Sequence, residues 1–206
     1  WNQATYPVIV SVHGGGWFYG DKELYRLYTK FLASKGFAVV NFNYRKSPEF
    51  NYPDAFLDVC YLMNHIQKKA CQYQFDLDRL YMVGDSAGAQ LACQYGIYAN
   101  SKEYQKLYSE VSHLSVPGIK RLALNCGFYK VDIKEEITKW YLPKKISRNH
   151  EKGLFEMLEY INEHFPETYL MTSVNDPLLP KTKPLMKMLE NNKIPYMYRE
   201  FGKSNE

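Results

Sequence analysis

The sequence predicts an α/β fold, a mainly parallel sheet with helices on both faces. Three observations carry that prediction. Short apolar runs alternate with stretches of helical apolar spacing from one end of the chain to the other. The 206 residues, 46% of them hydrophobic, are enough for one well-buried core. No linker-like stretch or internal repeat divides them. One domain is therefore expected over 1–206, with a cap or lid inserted at about 128–167.

Pro7 to Val12 is β-branched and reads as a buried strand. It runs into His13-Gly14-Gly15-Gly16-Trp17, where glycines leave backbone N–H groups unobstructed. Donors fixed in advance are what an oxyanion hole needs. A flexible loop or a phosphate turn fits less well. The Gly-Lys-Ser/Thr of a Walker loop and the Gly-x-Gly-x-x-Gly of a dinucleotide turn are both missing.

Asp21 to Lys35 places Leu24, Leu27, Tyr28, Phe31 and Leu32 at helical spacing, with Gly36 as a C-cap. Phe37 to Asn43 is the next strand. The Tyr44–Glu49 loop follows, then a helix from Tyr52 to about Ala70 with Val59, Leu62, Met63 and Ile66 as its buried stripe. Asp76 to Arg79 reads as a turn.

Leu80 to Val83 is a short apolar strand, and it meets Gly84-Asp85-Ser86-Ala87-Gly88. Helical spacing resumes at once through Ala87, Leu91, Tyr95 and Tyr98. The pentapeptide alone also fits an ordinary glycine-rich turn. Strand, Gly-x-Ser-x-Gly and helix in that order make it a nucleophile elbow. The turn is tight enough to strain the serine and to exclude a Cβ at Gly84 or Gly88. Ser86 is thereby held clear of the sheet, at a helix N-terminus that favours negative charge.

Ser101 to Pro117 is polar and loop-like, with some helix, and Ile119 to Cys126 is a strand. Residues 128–167 mix charge with aromatics and contain one amphipathic helix bearing Leu154, Leu158, Ile161 and Phe165. Such an insertion suits a lid, though plain surface helices fit equally. Thr168 to Val174 is a strand that ends at Asp176-Pro177. An acid there sits at the rim where α/β sheets place their chemistry. A helix over 180–192 and a strand over 195–201 close the pattern.

Composition excludes several classes. A net charge of +4 with scattered lysines marks no nucleic-acid face. No apolar run reaches the roughly 18 residues of a membrane span. No Cys/His spacing of the zinc type occurs, and no metal or other cofactor is expected. Cys60 and Cys71 would lie about 16 Å apart on one helix, so no disulfide joins them. The four cysteines read as buried free thiols, which suggests a cytoplasmic protein. The nineteen tyrosines are read mainly as half-buried packing. Because the chain starts at Trp1, an upstream segment is expected.

His13-Gly-Gly-Gly-Trp17, Tyr44-Arg45 with Pro48-Glu49, Gly84-Asp-Ser-Ala-Gly88 and Asp176-Pro-Leu178 together resemble the hormone-sensitive-lipase-like branch of the α/β-hydrolases, from about Val8 to Phe201. That resemblance implies an esterase acting on short-acyl or acetyl esters through an acyl-serine intermediate. Ser86 would be the nucleophile, Asp176 the acid that orients a histidine, and Gly15, Gly16 and Ala87 the oxyanion donors. Asp85 and Asp58 would be structural. Trp17, Tyr19, Tyr129 and Trp140 are candidates for the substrate pocket. Ala89 stands where many relatives carry glycine. The family order is serine, acid, histidine, yet His13, His65, His113, His150 and His164 all precede Asp176. The catalytic histidine is thus expected beyond Glu206. A small-molecule ester is the expected partner, and a homo-oligomer is possible. The alternatives are a catalytically inactive binding protein or a peptidase of the same fold.

Overall fold

The computed structural model describes residues 5–202. Its elements in chain order are β1 (Tyr6–Val12), α1 (Arg26–Ser34), β2 (Ala38–Asn41), α2 (Asp54–Tyr73), β3 (Phe75–Asp85), α3 (Ala87–Asn100), α4 (Lys102–Gln105), β4 (Arg121–Asn125), α5 (Glu136–Tyr141), α6 (Arg148–Phe155), β5 (Glu167–Ser173), α7 (Leu179–Asn191) and β6 (Tyr196–Phe201). The strands form one sheet in the order β2-β1-β3-β4-β5-β6, with every neighbouring pair parallel.

That order dictates where the helices go. Crossovers between parallel strands are right-handed, so steps in one direction place their helices on one face. The chain steps one way from β1 to β2, then returns past β1 to β3 and continues outward to β6. Hence α2, α3 and α7 share a face, and α1 takes the other. On the shared face Val8, Val10, Leu80, Met82, Leu122, Leu124 and Leu170 are at most 1% exposed, in one cluster with Leu185 and Leu189 of α7. Helix α3 is buried on every side from Ala87 to Tyr98, the central helix of the core.

The opposite face is more open. Ile9, Tyr81, Val83, Ala123 and Met197 line a groove of about 650 Å³ there, bordered by Tyr28 and Leu32 of α1. Part of the apolar stripe of α1 faces outward: Leu27 is 79% and Phe31 57% exposed, with Lys35 Nζ over the Phe31 ring at 4.9 Å.

Several expectations need correction. The Asp76–Arg79 turn is a bulge inside β3, where the pairing jumps from Pro7↔Asp76 to Val8↔Leu80. The segment over 101–117 is not a surface loop, because Tyr104, Tyr108 and Val111 are fully buried. Leu154, Ile161 and Phe165 are buried as expected, but not on one helix. Helix α6 stops at Phe155, a 3-10 turn covers Met157–Tyr160, and Ile161 is extended. The pre-proline position of Phe165 disfavours helix there. Cys71 is exposed, while Cys60 and Cys93 are buried and Cys126 is half-buried; all four are free thiols. No helix among the described residues is long and apolar enough to cross a membrane.

Candidate active site

The strand order turns back between β1 and β3, which opens a crevice at their carboxyl ends. The glycine loop leaves β1 there and Ser86 leaves β3. Ser86 has φ 52° and ψ −116°, a conformation that costs a non-glycine residue roughly 1–3 kcal/mol. Its neighbours enforce it. A Cβ on Gly84 would strike the Gly88 carbonyl, and one on Gly88 would strike the Val12 and His13 carbonyls. Strand, elbow and helix can approach this closely only at those two glycines. The Ser86 N–H donates to Asn125 O at 2.9 Å, which ties the elbow to the end of β4.

Gly15, Gly16 and Trp17 follow one another at φ 121°, 59° and 66°. The loop closes on itself through the Phe18 and Tyr19 amides, which donate to Gly15 O at 3.1 and 2.8 Å. The amides of Gly15, Gly16 and Ala87 have no acceptor among the described residues. They are the three predicted oxyanion donors. A Cβ on Gly16 would meet Ile137 and the Phe18 ring, so a side chain is excluded at that position too.

His13 lies beneath the loop and is wholly buried. Its ring stacks on Tyr44 at 4.2 Å, and Tyr44 Oη donates to His13 O at 3.0 Å. Nδ1 lies 2.8 Å from Gly14 O, an acceptor only, so the proton sits on Nδ1. Burial lowers the His13 pKa, which keeps the ring neutral. It supports the loop, and its ring bonds the Gly14 carbonyl and stacks on Tyr44.

Asp85 accepts from Tyr25 Oη at 2.7 Å, and Tyr25 Oη also accepts from Gly14 N–H at 3.3 Å. Burial raises the Asp85 pKa, and the nearby charge of Asp176 raises it further. Asp176 accepts from Thr172 Oγ1 at 2.7 Å and from Leu178 N–H at 2.9 Å. Cys126, at φ 47°, sits between the two acids just past the carbonyl that holds Ser86. Burial first, then Asp176, pushes its thiol up to about 11. The Tyr44–Glu49 loop is clamped by Arg45, whose guanidinium bonds Asp58 at 2.8 Å and Asp54 at 2.8 Å. Among the described residues no histidine bonds Ser86 or Asp176. His150 pairs with Glu110 at 3.0 Å, away from both.

The pocket candidates separate. Trp140, 59% exposed, joins Phe18, Ser47 and Pro48 in a cleft of about 300 Å³. Tyr19 is 63% exposed and does not line that cleft. Trp17 and Tyr129 are each 1% exposed: Trp17 stacks on Tyr141 at 4.4 Å, and Tyr129 packs over Gly127. Phe18, Tyr25 and Cys126 were not singled out from the sequence. Tyr25 had a readable signal in its place on the α1 side of the glycine loop. Cys126 had none, because only the fold brings it to Asp176.

An all-parallel sheet with a strained serine at its switch point, facing a glycine loop, defines an α/β-hydrolase fold. The BD-FAE family model matches residues 1–188, and the chain belongs to that family. It is 24% identical over 188 residues to esterase LipQ of Mycobacterium tuberculosis, covering 86% of this chain and 44% of LipQ. It is 27% identical over 96 residues to an acetyl esterase of Salmonella schwarzengrund, covering 46% of this chain and 30% of that protein. Esterase B of Lactobacillus rhamnosis superposes with a TM-score of 0.76 at 27% identity, over 97% of this chain and 65% of its own. The chain thus spans less than half the length of these two curated relatives.

Proposed function

We propose that this chain is the core of a serine carboxylesterase that cleaves small, short-acyl or acetyl esters. One observation carries the reading: Ser86 is held at a positive φ beside the unengaged amides of Gly15, Gly16 and Ala87. In this reading Ser86 Oγ attacks the ester carbonyl while a histidine following β6 takes its proton. The oxyanion accepts from the three amides. The tetrahedral intermediate collapses as the imidazolium protonates the leaving alcohol, and acyl-Ser86 remains. The same histidine then activates water, which releases the acid and regenerates Ser86. Asp176, already fixed by Thr172 and Leu178, holds that imidazole.

The Phe18–Trp140 cleft and the 128–167 segment support a small substrate beneath a lid, since Ile137 and Trp140 both reach the glycine loop and its cleft. Esterase B, a relative, is inhibited by a tributyrin phosphonate. The test is p-nitrophenyl acetate hydrolysis by this chain, and by its parent gene product if a histidine follows Glu206, each beside Ser86→Ala. Turnover that disappears in Ser86→Ala is expected. Turnover that survives it overturns the mechanism, and a histidine-bearing parent without turnover points to a binding relative.

A further inference from the structure

A hydrogen-bonded chain runs through the core from the glycine loop to the 128–167 segment. Trp17 Nε1 donates to Gln90 Oε1 at 3.1 Å, and Gln90 Nε2 donates to Gln94 Oε1 at 2.9 Å. Gln94 Nε2 donates to Tyr52 Oη at 3.1 Å and Tyr108 Oη at 2.8 Å. Tyr52 bonds Tyr108, Tyr108 meets Tyr104 at 3.1 Å, and Tyr104 bonds the Gly153 carbonyl of α6. All six side chains are buried to within 2%.

The chemistry of the two ends sets the direction of every bond between them. An indole N–H only donates, so Gln90 must turn its oxygen to Trp17, and its amide nitrogen then faces Gln94. Gln94 therefore presents its nitrogen to both tyrosines. A carbonyl only accepts, so the Tyr104 proton goes to Gly153. Tyr108 must then donate to Tyr104, and Tyr52 to Tyr108. Each hydroxyl proton is used once, and no second arrangement satisfies both ends. A buried network with a single solution fixes its members in place.

We propose that Gln90 is a positioning residue for oxyanion stabilisation, a role that rests on the esterase reading above. Trp17 sits at φ 66°, directly after Gly16; Tyr141 and Phe128 pack on its ring, and Gln90 accepts its indole N–H and so fixes the ring's orientation. Turning Trp17 turns the Gly15 and Gly16 amides. Gln90 also lies on α3, one turn beyond Ser86, so a single side chain sets the glycine loop relative to the elbow. Through Gln94 and the tyrosines, the loop is coupled to α6.

The test compares Gln90→Met, Trp17→Phe and the double variant. Methionine fills the same volume beside Met157, 3.6 Å from Gln90 Nε2. Gln90→Met should lower kcat about tenfold, since each factor of ten is one modest interaction lost in the transition state, with KM within twofold. Amide hydrogen exchange over residues 13–19 should rise at the same time. The double variant should be no worse than the poorer single one, because the two residues share a bond. Unchanged exchange over 13–19 overturns the proposal whatever the activity; so does a loss confined to KM, or an additive double variant. Failure of the esterase reading shows separately, as turnover indifferent to Ser86→Ala. If Gln90→Met does not fold, Trp17→Phe breaks the same bond from the loop side and gives the same readouts.

Discussion

Tyr25 Oη donates to Asp85 at 2.7 Å and receives the Gly14 N–H at 3.3 Å, so one phenol joins the residue before the serine to the base of the glycine loop. Tyr25→Phe leaves the ring but removes both bonds, and a half-buried carboxylate loses its donor. Losing such a partner costs about 1–3 kcal/mol. A lower urea midpoint with an unchanged m-value is the expected result. An unchanged midpoint would show that water replaces the phenol at no cost.

Asp85 also makes a pH prediction. Burial, then the charge of Asp176, holds its carboxyl above the ordinary 3.8. Between the ordinary and raised values the native state binds more protons than the unfolded chain, so stability falls as pH rises through that window. Above it the cost stands in full. Asp85→Asn removes the ionisation while keeping an oxygen for Tyr25. Its melting temperature should exceed the parent's near pH 7, and the gain should shrink toward pH 3. An equal gain at both ends would assign the effect to something other than ionisation.

The strain at Ser86 can be measured apart from its chemistry. Ser86→Ala and Ser86→Gly both remove the hydroxyl, the proposed nucleophile, but only glycine occupies φ 52° freely. Ser86→Gly should be the more stable of the two by about 1 kcal/mol, after the greater freedom of unfolded glycine is counted. Calorimetry of the pair decides it. A Ser86→Gly variant that melts below Ser86→Ala would mean the elbow imposes no strain.

Helix α1 carries Leu27 and Phe31 outward. Replacing both with lysine gives up the exposed contact of Lys35 Nζ over the Phe31 ring, 4.9 Å from its centroid, so stability should fall by no more than about 1 kcal/mol. Binding of a hydrophobic dye, or self-association in light scattering, should fall. A large loss of stability would mean that residues outside 5–202 pack on this stripe.

What was legible in the sequence follows from what is locally determined. Val8, Val10 and Val12 announce a strand through their branching. Gly84 and Gly88 announce the elbow because no other residue fits there, and Gly15 and Gly16 are equally forced. Tyr104 and Tyr108 were unreadable, since a tyrosine in a polar stretch is buried only when a partner such as Gln94 takes its hydroxyl. That partner comes from a distant helix. The burial of Trp17 and Tyr129, each 1% exposed, was equally unreadable, since Trp17 is tied inward to Gln90 only by the fold. The β3 bulge is likewise a matter of pairing with β1, which local propensity does not encode.

The turn-back in strand order has a practical corollary. Gly15 and Gly16 arrive before Gln74, an exposed left-handed residue that ends α2, whereas Ser86 and Asp176 arrive after it. On the proposed esterase reading, a chain severed at Gln74 would leave the proposed oxyanion donors of the glycine loop on one fragment and the proposed nucleophile on the other. Neither fragment could stabilise a tetrahedral intermediate with the full set of donors, and both would be needed in register along β1 and β3. If the proposed esterase reading holds, Gln74 is a split point for a two-part reporter, silent until its halves are brought together.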